Sequence, residues 1–372
     1  MKKILSIVGA RPNFVKIAAL YHAFRPFPAV AFKIVHTGQH HDVSMSSVFF
    51  RDFQLPAPDH YLGITATSPV LMIAQMLLAL EPVLRTEQPD LVLVVGDTNS
   101  TLAGALAAAK MGIPIAHVEA GLRSGDRSMP EEFNRIMTDS VADFLFVTEQ
   151  SGLDNLQREG YAMEKVFFVG NCMLDMVLRY QPAAAATDML GRLQLTPRTY
   201  CLLTFHRPSN VDSPAALEQI VRLIELAVRH TSVVFPLHPR VRINLNQSGL
   251  RKRLDELPNL HLLEPQAYPE FLSLLENAAL VITDSGGVQE ETTFLRVPCL
   301  TFRRNTERPI TVSMGTNELL PSLDPEQAVE KLKIALRGDW KSSEVPPLWD
   351  GQAGRRIADI LGNVGLTYPL CR

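Results

Sequence analysis

The segment from Asp284 to Glu291 combines residue types that bind a nucleotide. Its sequence is Asp-Ser-Gly-Gly-Val-Gln-Glu-Glu, and the apolar run Ala279–Thr283 before it is typical of a buried parallel strand. The first N–H groups of a helix have no hydrogen-bond partner within the helix, and the helix dipole favours negative charge near them. A strand followed by a glycine turn and the start of a helix therefore forms an anion site. Glu291 is predicted to accept the hydroxyls of a ribose. The diphosphate is assigned to Ser285, Gly286 and Gly287. The alternative is a glycine-initiated helix with a solvated glutamate pair.

Three further carboxylates could transfer protons. Asp97 and Glu119 end adjacent predicted strands, and Glu131 follows Met129-Pro130 at the start of a predicted helix. Arg135 lies four residues after Glu131 on the same helix face, as an ion-pair partner or a substrate clamp. Inverting a carbon centre requires proton removal from one face and delivery to the other, which calls for two acid/base groups whose pKa values differ.

Structural roles remain open for the same carboxylates. Asp97 would also serve as the N-cap of a helix over residues 100–110, a role that does not exclude catalysis. Glu131 and Glu132 would also compensate the helix dipole.

Several cofactor classes are excluded by missing motifs. No G-x-G-x-x-G follows the first strand and no G-x-x-x-x-G-K-[ST] occurs, so neither a dinucleotide fingerprint nor a P-loop is present. The ten histidines contain no H-E-x-x-H. We therefore expect no nicotinamide cofactor and no metal. A net charge of −3 gives no field for nucleic acid.

Short β-rich runs alternate with longer helical stretches, which indicates parallel sheets covered on both faces. The predicted strands are 4–8, 32–36, 91–95, 113–118, 144–147, 166–169, 200–204, 233–237, 260–263, 280–283 and 299–302. Ligands of such sheets gather at the carboxyl ends of the strands. Asp, Glu, His or Arg follows strand after strand, which solvation explains poorly.

A chain of 372 residues predicts two domains. We expect an α/β fold of two doubly wound Rossmann-like domains, 1–180 and 181–352. The segment 181–187 has linker composition, and a helix over about 353–372 is expected to pack back on the first domain. The four cysteines, at 172, 201, 299 and 371, show no ligand-like spacing and indicate a reducing compartment. The start imitates that of a signal peptide, but its apolar run over residues 4–8 is too short and is predicted to be the first strand. No stretch has about 18 continuous apolar residues. A cytoplasmic protein is expected.

Seven motifs in order resemble the non-hydrolysing UDP-N-acetylglucosamine 2-epimerases, over about residues 4–360. They are Gly9-Ala10-Arg11-Pro12 with Lys16, Gly96-Asp97-Thr98, His117–Ser124, Pro130-Glu131-Glu132 with Asn134-Arg135, His206-Arg207, Asp284–Glu291 and Thr306–Pro309. The resemblance implies a two-domain GT-B-like fold with the active site in a cleft between the domains. It also implies interconversion of UDP-GlcNAc and UDP-ManNAc for surface polysaccharides, and a homodimer.

The resemblance also implies a mechanism and residue roles. A base takes the C2 proton while UDP leaves C1, and UDP adds back to the 2-acetamidoglucal as the proton returns to the other face. The acid/base candidates are Asp97, Glu119 and Glu131, with Arg135 supporting Glu131. His206 and Arg11 would stabilise the departing diphosphate. The backbone of Phe271 would meet uracil, and the remaining substrate contacts would come from Lys16, Ser285, Gly286, Gly287, Glu291 and Arg308.

The sequence departs from the family pattern in several places. Asn13 stands where many members have Glu, and Pro208-Ser209-Asn210 lacks the Glu that commonly precedes the Asn. The segments 39–43 and 65–68 differ from those that bind an activating UDP-GlcNAc, so activation is expected to be weak or absent. The open alternatives are UDP-GalNAc as substrate, a hydrolysing epimerase that releases ManNAc, a GT-B glycosyltransferase and a sugar-nucleotide sensor.

Overall fold

A computed structural model describes residues 1–39 and 50–363, without the side chains of residues 11, 12 and 363. The chain divides into two compact units. One comprises Met1–Met176 and the segment from Pro347 onward, and the other is Val177–Pro346.

The first unit contains a fully parallel sheet. Its elements are β1 (Lys2–Val8), α1 (Arg11–Phe24), β2 (Val30–His36), β3 (His60–Tyr61), α2 (Pro69–Glu87), β4 (Leu91–Val95), α3 (Asn99–Lys110), β5 (Ile115–Ala120), α4 (Pro130–Val141), β6 (Phe144–Val147), α5 (Gln150–Arg158), a 3₁₀ turn (Met163–Lys165) and β7 (Val166–Phe168). Within the described residues the strand order is β3-β2-β1-β4-β5-β6-β7. The order reverses between β1 and β4, and ligands bind at such a switch point.

The second unit repeats this architecture. Helix α6 (Cys172–Ala185) leads into it, followed by α7 (Met189–Arg192), β8 (Tyr200–Thr204), α8 (Pro208–Val211), α9 (Pro214–Ala227), β9 (Ser232–Pro236), α10 (Pro239–Ser248), α11 (Arg251–Asp255), β10 (Leu260–Leu263), α12 (Tyr268–Glu276), β11 (Leu280–Thr283), α13 (Gly286–Leu295), β12 (Cys299–Phe302), α14 (Ile310–Ser313), β13 (Asn317–Leu320) and α15 (Pro325–Leu336). The parallel order β10-β9-β8-β11-β12-β13 has its switch point between β8 and β11. Both sheets confirm the predicted doubly wound class.

The last described helix, α16 (Ala353–Asn363), belongs to the first unit and packs against α1. Asp175 accepts hydrogen bonds from the backbone N–H groups of Ala353 (3.1 Å) and Gly354 (2.7 Å). The side chain thereby caps the start of α16. Trp349 is buried and its indole N–H donates to the Thr148 carbonyl (3.0 Å), which fixes the approach to the helix.

Strand burial explains why these runs form strands. Strands β4, β5 and β6 are buried along their whole length, as expected for parallel strands covered on both faces. Helix α9 packs an apolar stripe into the core: Leu217, Ile220 and Ile224 are each at most 2% exposed.

Three local predictions are wrong. The supposed linker 181–187 is helical as far as Ala185, because its alanines favour helix despite Pro182. Strand β5 runs to Ala120 and so includes Glu119. Helix α3 begins at Asn99 after Thr98, so Asp97 is not its N-cap residue. The short strands β3 and β13 carried too little apolar pattern to be recognised.

Helix α2 differs from the other helices in its exposure. By length and composition it could cross a membrane, and 17% of its most apolar window is buried. Met76, Leu80 and Leu84 pack in the core, whereas Val70, Leu71 and Leu78 are exposed. Soluble proteins also contain such helices, so the finding is weak evidence for a membrane span.

Candidate active site

In the first unit, the predicted acid/base residues lie after β4 (Asp97), near the end of β5 (Glu119) and at the start of α4 (Glu131). Asp97 follows Gly96, which has a φ of 71°, a conformation that favours glycine. The Asp97 side chain is 31% exposed, and one of its oxygens accepts a hydrogen bond from Arg135, which is almost fully buried. The buried Arg135 guanidinium thus holds the Asp97 carboxylate just beyond the carboxyl end of β4.

Glu119 lies on a β-bulge. The pairing of β5 with β6 shifts between Val118 and Ala120, and Glu119 has a φ of 75°. A non-glycine residue in this region stores backbone strain, and bulges beside functional sites redirect a side chain. The redirected carboxylate is 4% exposed and pairs with the buried ammonium of Lys16. Lys16, predicted to contact substrate, therefore contacts an acid/base candidate in this structure.

Asn13 shows what its departure from the family pattern does. Its amide donates to the Val95 carbonyl (2.9 Å) and lies 3.4 Å from Thr98 Oγ1. A Cβ added to Gly96 would lie 3.1 Å from Asn13 Oδ1 and 3.3 Å from Glu119 Oε2. A neutral side chain therefore supports the Asp97 loop beside the Glu119 carboxylate.

The predicted pairing of Arg135 with Glu131 is wrong. Arg135 contacts Glu132 instead, with Nη2 at 2.5 Å and Nε at 3.1 Å from Glu132 Oε2. Glu132 also accepts hydrogen bonds from Ser124 N and Gly125 N, both at 2.9 Å. Burial alone would raise the pKa of Glu132, but these hydrogen bonds and Arg135 lower it. Residue 131 is turned by about 100° from residue 132 on a helix and is exposed.

A buried network behind Asp97 and Glu119 was not found by sequence reasoning. His117 contacts Asp139 Oδ1 through Nδ1 (2.6 Å) and the Gly96 carbonyl through Nε2 (2.8 Å). Asp139 Oδ2 accepts from Gly121 N (3.1 Å) and pairs with Arg123 (2.8 Å). A histidine at position 117 within an otherwise apolar, buried stretch of β5 was the available signal, because a buried polar side chain needs a hydrogen-bond partner.

In the second unit, Asp284 organises the switch point between β8 and β11. It is fully buried, and its Oδ1 lies 2.8 Å from His206 Nδ1. Its Oδ2 accepts from Arg207 N (3.0 Å) and Asn210 Nδ2 (3.1 Å). Burial alone would raise the pKa of Asp284, but these donors lower it, so it is an ionised acceptor that orients His206. The His206 side chain is 43% exposed and therefore accessible to a ligand.

The predicted phosphate site opens helix α13. Ser285 occupies its N-cap position, and Gly286 and Gly287 follow it. A Cβ on Gly286 would lie 3.2 Å from Arg308 Nη1, so glycine allows the Arg308 guanidinium to approach the helix start. Arg308 pairs with the buried Glu290 (2.7 Å) and with Glu307. Helix N–H groups and an arginine thus lie close together, which suits an anion, although Glu307 Oε1 lies as near to Gly286 (3.1 Å from the same Cβ) and neutralises part of the Arg308 charge.

Glu291 lies one and a half turns further along α13. It is 5% exposed, and the Tyr268 hydroxyl donates to its Oε1 (2.9 Å). Burial raises the pKa of Glu291 to about 7, with a further increase from Glu290 that the Tyr268 hydrogen bond opposes. Phe271 lies in α12, where its N–H donates to the Ala267 carbonyl (3.0 Å).

Some predictions fall outside the described part of the chain. Arg11 begins α1, but its side chain is not described. The segment 39–43 is described only at Gln39, and Cys371 also lies outside. Within residues 1–39 and 50–363, no group of three or more His, Cys, Asp or Glu is arranged to hold a metal.

Comparison with known proteins identifies the class to which this fold and these sites belong. The UDP-N-acetylglucosamine 2-epimerase family matches residues 22–362. A UDP-N-acetylglucosamine 2-epimerase of Methanococcus maripaludis is 39% identical, covering 97% of this chain and 98% of the relative. A UDP-2,3-diacetamido-2,3-dideoxy-D-glucuronate 2-epimerase of Pseudomonas aeruginosa is 41% identical, covering 97% and 100%.

A solved structure of similar fold is the Methanocaldococcus jannaschii UDP-GlcNAc 2-epimerase in complex with UDP-GlcNAc and UDP. It matches with a TM-score of 0.86 and 39% identity, over 97% of this chain and 99% of that one. The chain belongs to the UDP-N-acetylglucosamine 2-epimerase family. It is an isomerase, an epimerase of UDP-linked sugars, with the two Rossmann-like domains expected of a GT-B-like fold.

Proposed function

We propose that the protein inverts C2 of a UDP-N-acetylhexosamine without hydrolysis, converting UDP-GlcNAc to UDP-ManNAc for surface polysaccharide precursors. The observation that carries this is the placement of Asp97 and Glu119 at the ends of adjacent strands, each beside a buried cation. Two carboxylates in different environments suit removal and delivery of a proton on opposite faces of one carbon.

The proposed reaction has two balanced steps. A carboxylate removes the C2 proton, the C–H electrons form a C1=C2 double bond, and the C1–O bond breaks to release UDP. UDP then adds back to C1 of the 2-acetamidoglucal while an acid delivers a proton to the other face of C2. Asp97, Glu119 and Glu131 are the proposed acid/base groups, and Arg135 holds Asp97. No metal or nicotinamide takes part.

The second unit supplies the groups that suit the leaving diphosphate. His206, oriented by Asp284, would stabilise the charge that grows on UDP, as would Arg11. Ser285, Gly286, Gly287 and Arg308 would hold the phosphates, Glu291 the ribose and the Phe271 backbone the uracil. Lys16 would act through Glu119 as well as on substrate.

A second candidate is the same chemistry on a different sugar. The relative from Pseudomonas aeruginosa is named for a diacetamido-glucuronate and is 41% identical over nearly the whole chain. UDP-GalNAc remains a further alternative. Hydrolysis to free ManNAc and glycosyl transfer would use the same nucleotide contacts.

Proton NMR in D₂O tests the proposal. The purified protein is incubated in turn with UDP-GlcNAc, UDP-GalNAc and the UDP-linked diacetamido-glucuronate. Deuterium at C2 of a UDP-linked sugar, with a second epimer growing in, is the expected result and identifies the substrate. Free ManNAc with UDP would assign hydrolysis, and no exchange with any sugar would refute the acid/base roles.

We also propose a cytoplasmic homodimer. The exposed side chains of Val70, Leu71 and Leu78 on α2 support association, because exposed apolar patches mark contact surfaces. Light scattering of the purified protein distinguishes a dimer from a monomer. Failure to dimerise across the working concentration range would contradict the proposal.

A further inference from the structure

His117 has a hydrogen-bond acceptor at each ring nitrogen. It is fully buried in β5, with Nε2 2.8 Å from the Gly96 carbonyl oxygen and Nδ1 2.6 Å from Asp139 Oδ1. A backbone carbonyl can only accept, so Nε2 must carry a proton. The proton on Nδ1 then depends on whether Asp139 is ionised.

The surroundings of Asp139 make it an acceptor. Its second oxygen accepts from Gly121 N (3.1 Å) and pairs with Arg123 (2.8 Å). Burial alone would raise the pKa of this carboxyl, but His117 and Arg123 lower it. Both oxygens of Asp139 therefore face donors, and Nδ1 of His117 is one of them. The His117 ring is thus held at both nitrogens, by Asp139 on one side and by the Gly96 carbonyl on the other.

Arg123 compensates the buried charge of Asp139. It pairs with Asp139 (2.8 Å) on one side and with the partly exposed Glu159 (2.7 Å) on the other. Burial raises the pKa of the Tyr161 phenol to about 12, with a further increase from Asp139, so Tyr161 stays neutral. A buried carboxylate persists when it is paired with a cation in this way.

The His117–Asp139 pair connects the segment that carries Asp97 with the end of β5, which carries Glu119. The Gly96 carbonyl belongs to the peptide group that joins Gly96 to Asp97, so the His117 Nε2–H fixes the plane of that peptide. Asp139 holds Gly121, two residues after Glu119. The Gly96 N–H donates to the Val118 carbonyl (2.9 Å), so both segments share one set of hydrogen bonds.

We propose that the buried His117–Asp139 ion pair is a positioning device that sets the geometry of Asp97 and Glu119 relative to each other. This role rests on the proposed C2 epimerisation. His117 does not transfer a proton itself, because both of its ring nitrogens are engaged within the protein.

The substitution Asp139→Asn separates charge from shape. The amide oxygen keeps the acceptor for Gly121 and Arg123, and the amide NH₂ faces His117 Nδ1. Nδ1 can then accept from that NH₂, so each hydrogen bond of the network keeps a partner while the charge of residue 139 is removed. His117→Gln is the second variant, since one amide NH₂ can still donate to Gly96. Glu87→Gln is the matched control, because Glu87 also pairs with a histidine, His60 (2.8 Å), near the opposite ends of the strands.

The first readout is nitrogen NMR of protein labelled in its histidine rings. We expect the Nδ1 signal of His117, assigned with His117→Gln, to differ between the wild type and Asp139→Asn, because the group that faces Nδ1 changes from an acceptor to a donor. The second readout is the pH profile of kcat and KM. We expect kcat of Asp139→Asn to fall on the order of ten- to a hundredfold, as for other residues that orient reacting groups. KM should change little, which separates a loss of positioning from a loss of substrate binding.

Three results would overturn the proposal. One is a pair of ring-nitrogen spectra in which the His117 signals are the same in the wild type and in Asp139→Asn. Another is an Asp139→Asn enzyme with unchanged kcat and pH profile. The third is an equal loss of kcat in Glu87→Gln, which would show a general effect of stability. If His117→Gln or Asp139→Asn fails to fold, the kcat and KM of the other variant still decide. A wild type that exchanges C2 of no sugar refutes the proposed function alone, since the histidine spectrum then judges the ion pair separately.

Discussion

The pH dependence of nucleotide binding should follow the ionisation of Glu291. A carboxylate accepts two ribose hydroxyls only when ionised, and burial raises the pKa of Glu291 to about 7. The ionised fraction falls from about 0.9 at pH 8 to about 0.1 at pH 6 for such a group. The contribution of Glu291 to affinity is therefore present above pH 7 and lost as the pH falls through 7. The expected loss between pH 8 and 6 is about tenfold in Kd, or about 1.4 kcal/mol.

Calorimetric titration with UDP-GlcNAc isolates this contribution. The ligand's diphosphate does not change charge in this range, and an Asp97→Asn background prevents its conversion. The readout is the ratio of Kd in Glu291→Gln to Kd in the parent at each pH, which cancels other titrating groups. In the wild type the Tyr268 hydrogen bond lowers the pKa of Glu291. Tyr268→Phe removes this hydrogen bond, so the midpoint of the pH dependence of Kd should move to higher pH. A ratio that is constant from pH 6 to 8, or equal to one at pH 8, would refute the assignment of Glu291 to the ribose.

Three further predictions concern stability and orientation. Glu87→Gln should cost about 1–2 kcal/mol at pH 7, because the partly exposed cationic partners of Glu87 stabilise its ionised form. These partners lower the pKa of Glu87 from 4.5 to about 2. In urea unfolding, the difference in unfolding free energy between the wild type and Glu87→Gln should therefore be complete above pH 4.5 and disappear as the pH falls through 2. Gly121→Ala should destabilise the protein more than its control, Gly112→Ala. Both glycines have a positive φ, 78° and 68°, but a Cβ on Gly121 would lie 2.4 Å from a backbone oxygen whereas one on Gly112 meets nothing within 4 Å. Gly112→Ala should cost about 1–2 kcal/mol, and equal melting temperatures of the two variants would contradict the reasoning. Asp284→Asn should lower kcat by at least about tenfold by loosening His206, and unchanged initial rates would exclude that role.

The two parallel sheets were predictable because each strand is marked by its own short apolar run in the sequence. The strand Leu91–Val95 is apolar at each position and is bounded by polar residues, so its limits were read correctly from the sequence. The same holds for Leu280–Thr283, where the glycines that follow marked the start of a helix. Strand β13 was missed because Asn317 and Glu318 interrupt its apolar pattern. Its place depends on pairing with β12, which single-sequence periodicity does not reveal.

Side-chain partners were less predictable than positions. The i, i+4 spacing of Glu131 and Arg135 suggested a pair, but Arg135 contacts Glu132 and Asp97. The outcome depends on which helix face meets the sheet, which is a tertiary property. The bulge at Glu119 was also hidden, because nothing in the residue type indicates a positive φ. The sequence thus located the carboxylates, while packing decided which cation holds each one.

The position of helix α16 constrains how the chain is made. Its residues are the last to be synthesised among those described, yet they pack on α1 near the start of the chain. The second unit is continuous from Val177 to Pro346, so all of its sheet leaves the ribosome before the first unit is complete. Until α16 arrives, the surface of α1 near Ala19 and Ala23, which Gly354 contacts, stays exposed to water. The nascent chain therefore carries an unfinished first domain throughout the synthesis of the second, and this surface is the one that a chaperone would have to protect.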